Sequence, residues 1–209
     1  MMTLRISTVG HLLVSALLFA VALVPVGAQA PAPRLGGSQA RPSTPPAKPG
    51  VTSPGAGPVV VVETVKGTFE FETYPNEAPK TVERILALIA KRFYNGQRVH
   101  RVEPGFVVQM GDPTSRDMTK QDWWGRQGSG TPIGVAEISK LRKHVRGAVA
   151  LAHSGNATRG DSQFFITLTP QPKLDGQFAV FGKVISGMDV IGKLAVTDRI
   201  VRVTVRGTS

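Results

Sequence analysis

The chain has 209 residues, enough for one domain of ordinary size with additional segments. It carries 25 Lys and Arg against 14 Asp and Glu, but it has no run of five basic residues and no aromatics interleaved with basic clusters. This pattern favours a solvated basic surface over nucleic-acid binding. The chain has no cysteine, which excludes disulfides, thiol nucleophiles, zinc–thiolate sites and a lipid-modified N-terminal cysteine.

The first thirty residues have the pattern of a signal peptide. Arg5 supplies a positive charge, residues 12–26 are almost wholly apolar, and Ala28-Gln29-Ala30 fits a small-x-small cleavage site. The alternative is an uncleaved anchor, but the apolar run is shorter than the ~20 residues of a membrane span. We therefore expect cleavage before Pro31, no stable membrane span afterwards, and a periplasmic or secreted protein if the source is bacterial.

Residues 31–57 are rich in Pro, Gly, Ser and Ala and contain almost no large apolar side chain. Such a segment cannot bury a core, so we interpret it as a flexible linker, with a functional peptide as the alternative. All 14 acidic residues follow the linker, whereas four of the 25 basic residues precede Pro58. The domain expected at residues 58–209 thus keeps 21 basic and 14 acidic residues.

The domain begins with a pattern that predicts a hairpin followed by a helix. The valine run at 59–62 and the alternating segment 68–73 are typical of strands, with Lys66-Gly67 as the turn. Residues 78–92 have helical apolar spacing, and Asn95-Gly96 is a stop signal. The predicted apolar stripe of this helix consists of Val82, Ile85, Leu86 and Ile89.

The rest of the domain predicts short strands, one further helix and a long loop. The strands are expected at 99–103, 106–110, 148–152, 163–167, 178–184 and 200–205, and the second helix at 187–194. Many short strands with two helices indicate a mainly β fold, a closed barrel with helical caps, because closure removes exposed strand edges. The Gly-rich loop at 112–146 is long enough to be functional, and we expect Trp123-Trp124 to pack it rather than contact partners.

Several kinds of chemistry have no supporting motif. The sequence has no Gly-rich phosphate loop, no metal-ligand spacing and no nucleophile elbow, so we expect no cofactor and no metal. Because catalytic triads assemble in space, spacing alone does not exclude a Ser-His-Asp triad that uses His100, His144 or His153. For His100 we expect a structural role, buried and hydrogen-bonded, without proton transfer.

Two segments concentrate functional side chains. Residues 99–112 read VHRVEPGFVVQMGD, a strand, a Pro-Gly turn and a strand, with Val107 and Gln109 on one face. Such a hairpin presents a guanidinium, an apolar ring and an amide in one patch. Residues 160–167 read GDSQFFIT, and they are followed at a distance by LDG at 174–176 and FGKV at 181–184.

At these residues the sequence closely resembles the cyclophilin family of peptidyl-prolyl cis/trans isomerases. The family signatures read approximately FHR-x-x-PGF-x-x-QGGD, SQFFI, LDG and VFGKV, and this chain carries matching strings in the same order over about residues 59–206. The resemblance implies a closed eight-stranded antiparallel β-barrel capped by two α-helices, with an active groove on its outer face. It also implies a monomer that acts on proline-containing unfolded or partly folded polypeptides without a cofactor.

The resemblance also assigns roles to individual residues. Arg101, Gln109 and Phe106 match the catalytic positions, with Arg101 as the catalytic arginine and Gln109 holding it and the substrate backbone. The walls of the proline pocket would be Phe106, Val107, Phe165 and Leu174. The remaining groove positions would be Ala152, His153, Gln163 and Phe178, of which the first three face the residues that precede proline.

Some positions depart from the family pattern. Lys173 stands where cyclosporin-sensitive members commonly carry tryptophan, which predicts weak cyclosporin binding that an inhibition titration can check. Phe178 replaces a histidine and His153 replaces an asparagine. Val107 is smaller than the usual methionine, which predicts a wider proline pocket, and Met110 stands where glycine is usual.

Three functions follow from these observations. The first is an active isomerase that assists the folding of exported proteins. The second is a peptide-binding or chaperone module that uses the same groove with little catalysis. The third is a secreted all-β protein of other activity, such as a hydrolase. The presence of Arg101, Phe106, Gln109 and Phe165 together favours the first.

Overall fold

The computed structural model describes residues 57–206, so the predicted signal peptide and nearly all of the predicted linker lie outside the described residues. Within 57–206 the chain forms eight strands and two α-helices, joined by loops with short 3₁₀ turns. The strands are β1 (Val59–Thr64), β2 (Gly67–Thr73), β3 (Arg101–Glu103), β4 (Val107–Met110), β5 (Ala148–Leu151), β6 (Phe164–Thr167), β7 (Val180–Ser186) and β8 (Ile200–Val205). The helices are α1 (Pro79–Ala90) and α2 (Met188–Ile191). Neither of them is long and apolar enough to cross a membrane.

The eight strands form one antiparallel sheet in the order β3-β4-β6-β5-β7-β2-β1-β8. The predicted hairpin is confirmed, with Val60 opposite Phe71 in the β1–β2 ladder. In β2 the phenylalanines Phe69 and Phe71 are buried and the glutamates between and after them are half-buried, as the alternating pattern predicts. The mainly β, eight-stranded antiparallel prediction therefore holds.

The predicted closure of the sheet is met only in part. The end strands β3 and β8 share no ladder, and the contact between the two ends comes from the residues that precede them. Arg98 forms an isolated bridge with Arg199, and the Gly96 N–H donates to the Ile200 carbonyl at 2.9 Å. β3 starts at Arg101 rather than at residue 99, because the residues before it make this contact between the two ends of the sheet.

Helix α1 packs on the sheet through one apolar face. Val82, Ile85 and Ile89 are buried and half-buried Leu86 packs against the same core, so the predicted stripe is confirmed, and buried Leu88 extends it. The buried face of the helix also includes Thr81. α1 ends at Ala90, earlier than predicted, where Arg92 adopts a left-handed φ of 55°. The second helix is also shorter than predicted, a single turn.

Two apolar clusters lie on opposite faces of the central strands. The main core contains the rings of Phe71, Phe164 and Phe181, whose centroids are 6.0–6.2 Å apart. The second cluster contains Val107 and Phe165. Because β5 and β6 are buried at every residue, their sequences read as continuous apolar runs rather than as alternating patterns. The second cluster covers the sheet face opposite the main core, and some of its side chains are only partly buried.

The long loop is tied to helix α1 by a carboxylate. The helix has Ala78 at its N-cap and no side-chain cap from its own segment. Glu137 instead accepts the backbone N–H groups of Lys80 and Thr81, each at 2.8 Å. A carboxylate at this position satisfies N–H groups that lack helical partners and complements the positive end of the helix dipole. Glu137 therefore stabilises both the helix start and the loop.

The two tryptophans of the loop differ in their environment. Trp124 is half-buried and its indole N–H donates to the Asp117 carbonyl at 3.1 Å, which agrees with the predicted packing role. Trp123 is 60% exposed, so the packing prediction was wrong for this residue. Its ring instead contacts the Arg126 guanidinium, whose carbon lies 5.0 Å from the ring centroid.

We predict that Glu137→Ala lowers the free energy of unfolding by about 1–2 kcal/mol, because two helix N–H groups lose their acceptor. Urea denaturation followed by circular dichroism measures this change. Glu83→Ala is the matched control, since Glu83 is an exposed glutamate of the same helix that forms an exposed ion pair with Lys80. Equal urea midpoints for Glu137→Ala and Glu83→Ala would contradict the capping role.

Candidate active site

All ten residues predicted for the site line one groove of about 630 Å³, which opens over the second apolar cluster. They are Arg101, Phe106, Val107, Gln109, Ala152, His153, Gln163, Phe165, Leu174 and Phe178. The structure adds lining residues that sequence reasoning missed. These are Gly125, Arg126, Gln127, Gly128, Ser154, Arg159, Asp161 and Ser162.

Three neighbouring strands place the central side chains. Arg101 on β3 lies opposite Gln109 on β4, and Gln109 lies opposite Phe165 on β6. Residues directly opposite each other in an antiparallel pair share a face of the sheet, so the three side chains project into the same groove. Val107 reaches the groove as well, because it is two residues from Gln109 on the same strand.

A chain of hydrogen bonds runs across the groove from Arg101. Its Nη1 donates to Gln109 Oε1 at 3.2 Å, and Gln109 Nε2 donates to Gln163 Oε1 at 2.9 Å. Gln163 Nε2 then donates to the Gln127 carbonyl at 2.8 Å. We call these four residues the amide relay. Each side-chain amide donates through its nitrogen and accepts through its oxygen, so the relay has one consistent direction.

The guanidinium of Arg101 is held from two sides. Glu103 Oε1 accepts from Nε at 2.9 Å and from Nη2 at 2.6 Å, while Gln109 accepts from Nη1. Three of the five guanidinium N–H donors are used in this way, which leaves two for a bound molecule. The side chain is 44% exposed, so these donors are accessible from the groove.

Aromatic rings form the apolar end of the groove. The guanidinium carbon of Arg101 lies 5.8 Å from the Phe106 ring centroid. Phe165 and Phe178 meet edge to face with centroids 5.2 Å apart. His153 stacks on Phe178 at 4.5 Å, and its Nε2 lies 3.0 Å from the Gln177 carbonyl oxygen. Two of the positions that depart from the family pattern, 153 and 178, therefore pack against each other.

Asp112 fixes one part of the loop that forms the opposite wall of the groove. It is fully buried, and its Oδ2 accepts the backbone N–H groups of Gly125 at 2.6 Å and Gln127 at 3.1 Å. Its Oδ1 accepts the Thr114 N–H at 2.7 Å. These bonds place the Gln127 carbonyl where the amide relay ends.

Asp161 fixes the next part of the same loop. Its Oδ2 accepts the N–H groups of Gly130 at 2.8 Å and Thr131 at 3.3 Å. Its Oδ1 accepts from Arg84 of helix α1 at 3.3 Å and from the Ser129 hydroxyl. Sequence analysis identified Asp161 only as part of a motif, because nothing local indicates that its partners in the loop lie about thirty residues earlier.

Two histidines lie beneath the groove. His100 is half-buried, and neither of its shielded ring nitrogens makes a well-formed hydrogen bond within residues 57–206, so that part of the prediction was wrong. Burial lowers the pKa of His100, against the opposing charge of Asp112. The His144 side chain is fully buried, stacks on Phe165 at 5.9 Å, and places Nδ1 3.0 Å from Asp175 Oδ1.

The His144–Asp175 pair does not complete a hydrolytic triad in the described part of the chain. His144 Nε2 is buried without a hydrogen-bond partner among these residues, so no serine contacts it. Burial lowers the pKa of the His144 imidazole, although Asp175 opposes this effect. The His144 backbone N–H in turn lowers the pKa of Asp175. Residues 57–206 also contain no cluster of three or more His, Asp or Glu side chains suited to a metal ion.

The lowered histidine pKa values predict that acid destabilises the fold. Below about pH 6.5 the unfolded chain protonates its histidines while buried His144 stays neutral, so the unfolded state binds more protons and stability falls as pH falls. Urea midpoints measured between pH 7.5 and 5.5 should therefore decrease on acidification. His144→Gln should make this decrease smaller, leaving the part due to His100.

The comparison uses the slope of the midpoint against pH, so a general destabilisation of the His144→Gln variant does not affect it. A slope that is unchanged in this variant, or a midpoint that rises on acidification, would contradict the buried neutral state of His144.

Comparison with known proteins agrees with this geometry. Residues 59–207 match the family described as "Cyclophilin type peptidyl-prolyl cis-trans isomerase/CLD". The human protein "Peptidyl-prolyl cis-trans isomerase-like 3" is 42% identical over 136 residues, covering 65% of this chain and 80% of the relative. A "Probable peptidyl-prolyl cis-trans isomerase" from Brucella abortus is 41% identical over 138 residues, covering 65% of this chain and 70% of the relative.

Among solved structures, a cyclophilin type peptidyl-prolyl cis-trans isomerase from Cryptosporidium parvum superposes with a TM-score of 0.63 and 26% identity. The superposition covers 73% of this chain and 99% of that structure. The family match includes all eight strands, both helices and every residue of the groove. The chain is an isomerase and belongs to the cyclophilin-type peptidyl-prolyl cis-trans isomerase family.

Proposed function

We propose that the groove accelerates rotation about X-Pro peptide bonds by non-covalent stabilisation of the twisted amide, with Arg101 as the catalytic residue. The observation that carries this proposal is the placement of the Arg101 guanidinium. It lies beside Phe106, is oriented by Glu103 and Gln109, and keeps two N–H donors for a substrate.

The chemistry of rotation suits a fixed cation. The planar amide is held by resonance with a barrier of about 18–20 kcal/mol, and no covalent bond needs to break. In the twisted state the proline nitrogen regains a lone pair, so a donor aimed at it binds this state better than either planar isomer. A guanidinium keeps its protons in proteins, so Arg101 acts as an electrostatic stabiliser rather than as an acid or base.

The apolar end of the groove is suited to the proline ring. The rings of Phe106, Phe165 and Phe178, together with Val107 and Leu174, exclude water and strengthen the hydrogen bond to the nitrogen. Ala152, His153, Gln109 and Gln163 would hold the residues that precede proline. Lys173 is exposed and does not line the groove, in line with the weak cyclosporin binding expected from its identity.

We also propose that the protein is an exported bacterial isomerase that acts as a monomer on unfolded or partly folded polypeptides in the periplasm or outside the cell. The support is the signal-peptide pattern with Arg5, the apolar run and the Ala28-Gln29-Ala30 site. Mass spectrometry of the protein recovered from a bacterial host should give a chain that starts at Pro31. A membrane-bound chain that keeps residues 1–30 would contradict cleavage.

Replacing Arg101 tests the mechanism. We predict that Arg101→Ala lowers kcat/KM for an X-Pro peptide by about 10²-fold, the scale for loss of one electrostatic donor. NMR exchange between the cis and trans signals of the peptide measures the rate without a coupling enzyme. Arg199→Ala is the matched control, since Arg199 is exposed and outside the groove.

The outcomes separate the candidate functions. Equal rates for wild type and Arg101→Ala would contradict the role of Arg101. Binding of the peptide without measurable isomerisation by the wild type would favour the peptide-binding or chaperone module over the isomerase.

A further inference from the structure

Two arginines at the loop side of the groove have no role in the proposed mechanism. Arg126 and Arg159 both line the groove, and both are exposed. Within residues 57–206 neither has a carboxylate within salt-bridge distance, whereas Arg101 is paired with Glu103. We call Arg126 and Arg159 the cationic pair.

The one acidic residue that lines the groove does not offset this charge. Asp161 is 12% exposed at its side chain. Each of its oxygens already accepts two hydrogen bonds, one of them from the cation Arg84. Its negative charge is thus compensated within the loop wall. The cationic pair therefore gives the loop side of the groove a positive charge that a bound polypeptide can neutralise.

Arg126 lies at the end of the amide relay that is remote from Arg101 and Phe106, and Arg159 lines the same groove. The relay runs from Arg101, beside Phe106, to the carbonyl of Gln127, which is adjacent to Arg126 in the chain. Arg126 is supported by the exposed ring of Trp123. Arg159 ends a 3₁₀ turn in which the Thr158 N–H donates to the side-chain Oδ1 of Asn156 at 3.0 Å. The Arg126 side chain is thus held by a ring contact, and the backbone at Arg159 is held by a capped turn.

From this arrangement we infer that the cationic pair selects polypeptides with an acidic side chain two residues before the isomerised proline. The inference rests on the proposed function, which places the residues preceding proline along the relay. Side chains of an extended peptide alternate in direction, so the residue two before proline points into the same groove as the proline ring. An aspartate or glutamate there would meet the cationic pair, and lysine would be repelled.

The test compares three peptides that differ only two residues before proline, with Glu, Gln or Lys at that position. For the full-length protein we expect kcat/KM from NMR exchange to be roughly three- to tenfold higher for Glu than for Gln, and lower for Lys than for Gln, at low ionic strength. The preference should shrink at about 0.5 M salt, because exposed charges are screened. In the double variant Arg126→Gln/Arg159→Gln the Glu-to-Gln ratio should fall to about one.

Controls separate this inference from simpler explanations. Arg199→Gln removes an arginine outside the groove and should keep the wild-type ratio. Arg126→Glu/Arg159→Glu should reverse the order, so that Lys exceeds Glu, which a merely misfolded site would not do. A second peptide set carries the acid two residues after proline and should show no comparable preference.

Three results would overturn the inference. They are a wild-type ratio of one with normal isomerase activity on all peptides, a ratio unchanged in the double variant, and an equal preference for acid on either side of proline. Absence of isomerisation with every peptide would instead count against the proposed function itself.

Discussion

The register between β4 and β6 is the constraint on which the site depends. Val108 lies opposite Ile166 with both side chains in the main core, and this pair holds Gln109 opposite Phe165 on the other face. A slip of one residue would turn the core side chains into the groove and the groove side chains into the core. The apolar core therefore fixes the positions of the polar groups, although it contacts no substrate.

The backbone at Gly111 lies close to the backbone at Ser162, and this contact positions the next residue, Gln163. Gly111 follows β4 with φ of +107°, and a Cβ there would lie 2.4 Å from the Ser162 carbonyl oxygen. Only glycine permits this approach, which sets Gln163 beside Gln109 and starts the loop at buried Asp112. The segment 109–112 thus contributes Gln109 to the relay and ends the strand before Gly111. It also holds the opposite wall through Asp112. Within residues 57–206 the loop segment 125–131 has no neighbouring strand to bond its backbone N–H groups, and the carboxylates of Asp112 and Asp161 accept four of them instead.

The sequence predicted the parts of the site that strands carry and missed the parts that depend on distant contacts. Arg101, Gln109 and Phe165 were assigned by the cyclophilin resemblance, and the strand period of two placed Gln109 on the same face as Val107. Asp161, by contrast, binds loop residues about thirty positions away, and Glu137 caps a helix at Lys80 and Thr81. No local pattern encodes such partners. The same reason explains the error at Trp123, since the exposure of its ring depends on what packs against the loop.

The two walls of the groove differ in how strongly the fold constrains them. The strand wall is fixed by residues buried on both faces, so a change of volume there alters core packing as well as the site. The loop wall is held by backbone N–H groups that donate to Asp112, and these bonds form whatever side chain the loop residue carries. Arg126 of this loop and Arg159 of the separate 3₁₀ turn at 157–159 are both exposed where they line the groove. Substitution at these two positions therefore leaves the backbone bonds to Asp112 and Asp161 in place. In the proposed mechanism, rotation about the X-Pro bond relies on the constrained wall, while the proposed selection by Arg126 and Arg159 can vary without disturbing the register that positions Arg101.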